Sequence, residues 1–227
     1  MIRTALLALL LATPATAQDL PALPLADHPQ WQAVGRLNTR GYNRRGMCSG
    51  ALIAPDTVLT AAHCLAGPGG TPERAENLHF VAGWLGGDYA GESAVAGYEL
   101  HPEAYDNLHL DIEHDLALVT LAQPLDIAPL HIGSGFAPPF ALIGYHDHRP
   151  HRLSARFDCK GRKDHALLRI ACPVRPGNSG GPVLSGGPGA WEVTAVVTAY
   201  AQGDTLAVPV DEWVRARLLR GAPYTSD

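Results

Sequence analysis

Glycine and proline cut this sequence into short pieces, and that punctuation constrains the fold more than any other feature. The 227 residues include 24 Gly and 19 Pro, and the apolar runs between them are only four to eight residues long. Runs of that length bounded by turn formers read as strands, because a helix needs a longer uninterrupted pattern. A first series falls at 32–37, 49–53, 57–60, 78–82, 94–101 and 116–121. A second falls at 140–145, 153–158, 167–172, 182–185, 192–199 and 205–210. Many short strands with regular turns make an all-β sandwich or barrel. One helix is expected, over 211–220, with Asp211 as its N-cap and Gly221 as its stop.

The ends of the chain read differently. Residues 1–17 have the pattern of a signal peptide: Arg3 near the start, an apolar Leu/Ala run, and small residues at Ala15 and Ala17. That run is too short to span a membrane, and no later stretch is apolar enough. Cleavage after Ala17 would leave 18–227, and loss of Arg3 would take the formal charge from −5 to −6. Residues 18–29, rich in Pro and Ala, read as an extended arm. The body divides into halves at 30–130 and 131–227, joined through 124–139, which holds four prolines and two glycines. Hydrophobic residues make up 46%, enough for a core, while charged residues are 17% with no basic patch, so nucleic acid is not expected as a partner. Four cysteines in an exported chain imply two disulfides, and three pairings are open.

Three segments carry chemistry: LTAAHC at 59–64, HDLALV at 114–119 and GNSGGP at 177–182. They offer His63, Asp115 and Ser179. A serine hydroxyl is a weak nucleophile at neutral pH. It needs a base within hydrogen-bond reach, and the base needs a partner that sets its tautomer and holds its charge. Asp115 opens an apolar run, where a carboxylate would be costly without a partner. Asp111 is a nearby rival. Glycines on both sides of Ser179 permit backbone conformations closed to other residues, so that two N–H groups can converge on one point. The other histidines read as less specific. His146, Asp147, His148 and His151 are expected in an exposed loop, since their spacing matches no metal motif. His101, His109, Asp111 and His114 read as loop and surface residues, and Trp191 and Trp213 as packing residues.

In this order and over nearly the whole chain after residue 30, the three segments resemble the trypsin-like (chymotrypsin-fold) serine proteases. The resemblance implies two six-stranded antiparallel β-barrels with the site in the cleft between them and a short C-terminal helix. It implies His63, Asp115 and Ser179 as the catalytic groups, the N–H groups of Gly177 and Ser179 as an oxyanion hole, and Thr198 as a hydroxyl supporting the aspartate. It pairs Cys48 with Cys64 and Cys159 with Cys172. The second pair, followed by PGNSGGP, is similar to the bacterial branch that includes the glutamyl endopeptidases. No cofactor or metal is implied. The substrate is polypeptide, the expected state a monomer, and the destination the periplasm or the extracellular medium.

Some positions depart from the family's pattern. Asn178 stands where zymogens of the family carry an aspartate that meets a freed N-terminal amine, so activation by that ion pair is not expected. Pro173 stands where tryptic members carry a carboxylate, and 195–200 lacks the histidine of glutamyl members. Tyr200 replaces a common glycine and would narrow the specificity pocket, which with Pro173 favours small or apolar side chains. An esterase would use the same groups, and the same fold can serve as a non-catalytic binding protein.

Overall fold

Side chains of a strand point alternately to its two faces. In the segment 78–82, Leu78, Phe80 and Ala82 are buried while His79 and Val81 are half-buried. The computed structural model describes residues 19–41 and 44–219; the segment 91–96 alternates likewise, whereas 140–146 and 182–185 are buried on both faces. The expected leader, 1–17, and the expected helix stop, Gly221, lie outside the described residues.

The first strands are β1 (Val34–Gly41), β2 (Arg44–Ala54), β3 (Thr57–Thr60), β4 (Leu78–Ala82) and β5 (Gly91–Leu100). A two-strand excursion follows, β6 (Tyr105–Asp106) and β7 (His109–Leu110), and then β8 (Ala117–Leu121). Strands β1, β2, β3, β8, β5 and β4 close into an antiparallel barrel in that order. Its interior holds Leu37, Leu52, Val58, Phe80, Val95 and Val119, each 5% exposed or less.

The remaining strands are β9 (Phe140–His146), β10 (Arg149–Cys159), β11 (Gly161–Asp164), β12 (Leu167–Ile170), β13 (Pro182–Ser185), β14 (Glu192–Ala201) and β15 (Asp204–Pro209). They form one sheet in the order β10-β9-β13-β14-β15-β12-β11. This second unit is a curled seven-stranded sheet, where the sequence led us to expect six strands. The additional strand is β11, whose residues GRKD show no apolar alternation. It forms because it pairs with β12 and because Asp164 accepts from Arg169 Nε at 2.9 Å across that pair. The pleat of β9 links the two units. Phe140 and Leu142 point into the sheet's own core with Ile170, Val183, Ala195 and Val197. Ala141, Ile143 and Tyr145 point the other way, into the core that continues through the barrel.

The arm is extended only as far as Pro24; a 3₁₀ helix spans Leu25–Trp31. The main-chain bond from Asp27 N to Pro24 O begins the turn, and burial of His28 and Trp31 holds it. Helix α1 (Glu212–Leu219) starts where Asp211 Oδ1 accepts from Val214 N at 3.1 Å, the expected N-cap. No helix among the described residues is long and apolar enough to cross a membrane.

Both disulfides form within a unit, Cys48–Cys64 in the barrel and Cys159–Cys172 in the sheet. Such bonds belong to an oxidising, extracytoplasmic compartment. Replacing Cys159 and Cys172 together by Ala should lower the unfolding free energy by about 3 kcal/mol. Urea unfolding monitored by tryptophan fluorescence will measure it, and non-reducing peptide mapping of the parent chain should recover both pairs.

Candidate active site

Strand β3 ends at Thr60, and a 3₁₀ turn at Ala62–Leu65 carries His63. Ala61 and Ala62 have no exposed surface, so their small side chains let the turn sit tightly on the barrel end. Asp115 has none either. Its carboxylate is nevertheless well supplied with donors: the backbone N–H of His63 reaches Oδ1 at 2.9 Å, the imidazole Nδ1 reaches Oδ2 at 2.7 Å, and the Thr198 hydroxyl donates to Oδ2. Three donors satisfy a buried anion that would otherwise be unstable there. With Nδ1–H committed to Asp115, the neutral ring keeps its lone pair on Nε2. Asp111 is engaged elsewhere. It accepts from His114 Nδ1 at 3.0 Å and from Glu113 N at 2.9 Å.

Tyr105 senses the same carboxylate. Burial, the Asp115 charge and Tyr98 push its hydroxyl up to about 12, so it stays protonated.

Ser179 is half-buried in the turn between β12 and β13. Its carbonyl accepts from Ser49 N at 2.8 Å, and Gly180 N donates to Val197 O at 2.8 Å, which ties the turn to β2 and β14. Gly180 has φ +77°, and a Cβ there would lie 2.1 Å from Thr60 Oγ1 and 2.3 Å from Ser49 O. Only glycine therefore lets the Ser179 turn approach the end of β3, where the His63 turn begins. Gly177 has φ +101°, and a Cβ there would meet Met47 Cε at 2.6 Å and His146 Cα at 2.9 Å. Asn178 N donates to Arg175 O and Gly181 N to Asn178 O. Among the described residues, the N–H groups of Gly177 and Ser179 donate to no protein group, and Ser179 Oγ makes no hydrogen bond to His63.

Two neutral side chains shape this turn. Asn178, 2% exposed, donates from Nδ2 to Tyr145 O at 3.0 Å and accepts at Oδ1 from Arg175 N at 2.9 Å. Ser49 Oγ accepts from Tyr145 N and donates to Gly177 O, both at 2.8 Å. Ser49 escaped the sequence reading because a serine after a cysteine in a strand carries no signal of its own; only the fold brings it 128 residues along the chain to Gly177.

Of the expected pocket residues, Pro173 is half-buried and Tyr200 is 47% exposed at the end of β14. Two histidines differ from expectation. His146 is fully buried rather than looped out, with Ser154 Oγ 3.0 Å and Arg149 Nη1 3.3 Å from its Nε2. Burial, reinforced by the Arg149 charge, lowers its pKa. His148 and His151 are exposed, as expected. His101 is also buried, because it is roofed by Trp213 and stacks on His114 with ring centroids 5.0 Å apart, while its Nε2 lies 3.0 Å from Asp211. Trp191 and Trp213 pack against the core. The grouping of Cys48, His63 and Cys64 holds ligand-type atoms close together, but its sulfurs are joined in the disulfide.

The buried Asp115 carboxylate thus holds the His63 imidazole, and the glycine-flanked Ser179 turn packs against the end of β3. The chain belongs to the trypsin-like peptidase domain family, which matches residues 48–196. It is 37% identical over 134 residues to coagulation factor XII of Sus scrofa and 38% over 130 residues to that of Bos taurus. Each match covers 54% of this chain but only 18% of the relative. It is 29% identical over 106 residues to a trypsin of Saccharopolyspora erythraea, covering 43% of each chain. The family is one of serine peptidases.

Gly180→Ala should cost more than about 2 kcal/mol in unfolding free energy, since it combines strained φ with backbone overlap. A control at Gly203, where a Cβ meets nothing within 4 Å but φ is +90°, should show the smaller cost of strain alone; thermal and urea melts of both variants decide.

Proposed function

We propose that this chain is an exported serine endopeptidase, working through Ser179, His63 and Asp115. The observation that carries the reading is the His63 Nδ1–Asp115 Oδ2 hydrogen bond of 2.7 Å on a fully buried carboxylate. In this scheme Ser179 Oγ attacks the peptide carbonyl as its proton passes to His63 Nε2. Asp115 orients the ring and stabilises its cationic form, and the Thr198 hydroxyl holds Asp115 in turn. The carbonyl oxygen, becoming negative, is met by the N–H groups of Gly177 and Ser179. His63 then returns its proton to the leaving amine, and water repeats the sequence to release the acyl group.

The polypeptide substrate would bind extended beside a strand edge. Pro173 offers no charge to a basic side chain, and 195–200 offers no histidine to an acidic one, so cleavage after small or apolar residues is proposed, with Tyr200 limiting size. The chain would be a monomer needing no cofactor, with an N-terminal half at 30–130 and a C-terminal half at 131–227 behind the arm 18–29. It would resemble the bacterial branch that includes the glutamyl endopeptidases, with altered specificity.

Ser179→Ala, His63→Ala and the double variant should each lose peptide turnover on the order of 10⁴-fold, with no further loss in the double, because such groups act as a unit. Near-parental hydrolysis by Ser179→Ala would overturn the assignment. Turnover of ester but not peptide substrates would identify an esterase, and failure of a fluorophosphonate probe to label Ser179 would identify a non-catalytic binding protein. Acetylating the N-terminal amine should leave turnover unchanged, since Asn178 provides no anion for it.

A further inference from the structure

Arg175 is where the Gly177 turn is tied to its surroundings. Its main chain closes the turn, with N donating to Asn178 Oδ1 and O accepting from Asn178 N at 3.0 Å. Its side chain reaches outward. Nε and Nη2 donate to the two carboxylate oxygens of Asp147 at 2.7 and 2.9 Å, and Nη2 lies 2.6 Å from His148 Nε2. Nη1 lies 3.5 Å from Asp19 Oδ1, and His148 Nδ1 lies 3.2 Å from Asp19 Oδ2. The main chain adds a bond from Asp147 N to Pro176 O at 2.9 Å. One guanidinium thus meets two carboxylates. The hydrogen bond from Arg175 holds the Asp147 carboxyl below its ordinary range, and Asp147 and Asp19 raise Arg175.

Asp19 reaches this point on a built path. Strand β10 is an edge of the second sheet, and the arm lies along it. Ala155 N donates to Pro21 O at 2.9 Å and Leu23 N to Leu153 O at 2.8 Å, with an antiparallel bridge between Ala22 and Ser154. Arg149 Nη1 donates to Leu20 O at 2.7 Å, and Arg152 Nε to Leu23 O at 2.9 Å. Leu20 enters the sheet core and Leu23 the barrel-side core, each 1% exposed. Two buried anchors and a short strand pairing leave the Asp19 carboxylate little freedom.

We propose that residues 19–23 are a positioning strap for the active site: the strap delivers the Asp19 carboxylate to Arg175 and so holds the 175–178 turn in the form that leaves the N–H groups of Gly177 and Ser179 free together. This rests on the reading of Ser179 as nucleophile. The charge that steadies the turn lies outside it, because the buried residue inside it, Asn178, is neutral. Asp19 and Arg175 act as positioning residues and touch no reacting atom.

The test compares the full chain with Asp19→Asn, Asp19→Glu and Arg175→Gln, plus Glu76→Gln as a control of equal charge change at a distant surface pair. Two quantities are read: kcat and KM on a peptide substrate, and hydrogen exchange at the amides of Asn178 and Gly181. Asp19→Asn should lower kcat by about three- to tenfold with KM within about twofold, a range set by a partly exposed ion pair that leaves Asp147 in place. Exchange at both amides should quicken. Arg175→Gln should exceed that loss, Asp19→Glu should restore kcat, and Glu76→Gln should change nothing. Unchanged kcat and exchange in Asp19→Asn, or no rescue by glutamate, would overturn the strap. If a fluorophosphonate fails to label Ser179 in the parent chain, the peptidase reading falls, while the exchange data still decide whether Asp19 holds the turn.

Discussion

A carboxylate with no exposed surface sits where the two β units meet, and much of the site is arranged around its need for donors. Asp115 precedes β8 of the barrel. Its three donors come from the turn after β3, through the main chain and ring of His63, and from β14 of the other sheet, through Thr198. An unpaired buried carboxylate would cost several kcal/mol. The barrel and the sheet are thereby held in one relative placement, and the imidazole is held in one tautomer. Nearby, burial first and the Asp115 charge second push the Tyr105 hydroxyl up to about 12.

Across from that anchor, the Ser179 turn is built with neutral groups. Ser49 and Asn178 supply hydrogen bonds to main-chain atoms of Tyr145, Arg175 and Gly177. Neutral donors suit this position, since Asn178 is buried and a charge there would require a counter-charge of its own. The charged groups lie one shell further out, at the more exposed Arg175, Asp147, His148 and Asp19. Desolvation is low there, so ion pairs can form without heavy cost, although each contributes modestly. Asp19 of the arm meets the turn's Arg175 in that outer layer.

Strand limits were legible where turn formers close off a short apolar run. Strands β3, β4 and β13 have the residue limits read from the sequence, because apolar runs and turn formers bound them sharply. The strand at 161–164 was invisible because its residues are polar, although its hairpin partner lies within the strand read at 167–172. The 3₁₀ helix at the end of the arm was missed for a similar reason. Its proline-rich composition reads as extended, and only the burial of His28 and Trp31 against the body curls it. His101 and His146 read as surface residues because a histidine's burial depends on which ring or hydroxyl happens to cover it.

Residue chemistry alone determined that this chain is β-rich and that it carries a histidine, an aspartate and a glycine-flanked serine in settings suited to nucleophilic chemistry. Those are local facts, written in periodicity, turn formers and motif spacing. Tertiary structure decided which groups meet: that His63 and Thr198 both reach Asp115, that Ser49 braces Gly177, and that Asp19 reaches Arg175. These contacts join positions 52 to 156 residues apart, and no local pattern encodes them. They arise from packing two curled sheets against each other, which brings distant strand ends together while each strand satisfies its own hydrogen bonds.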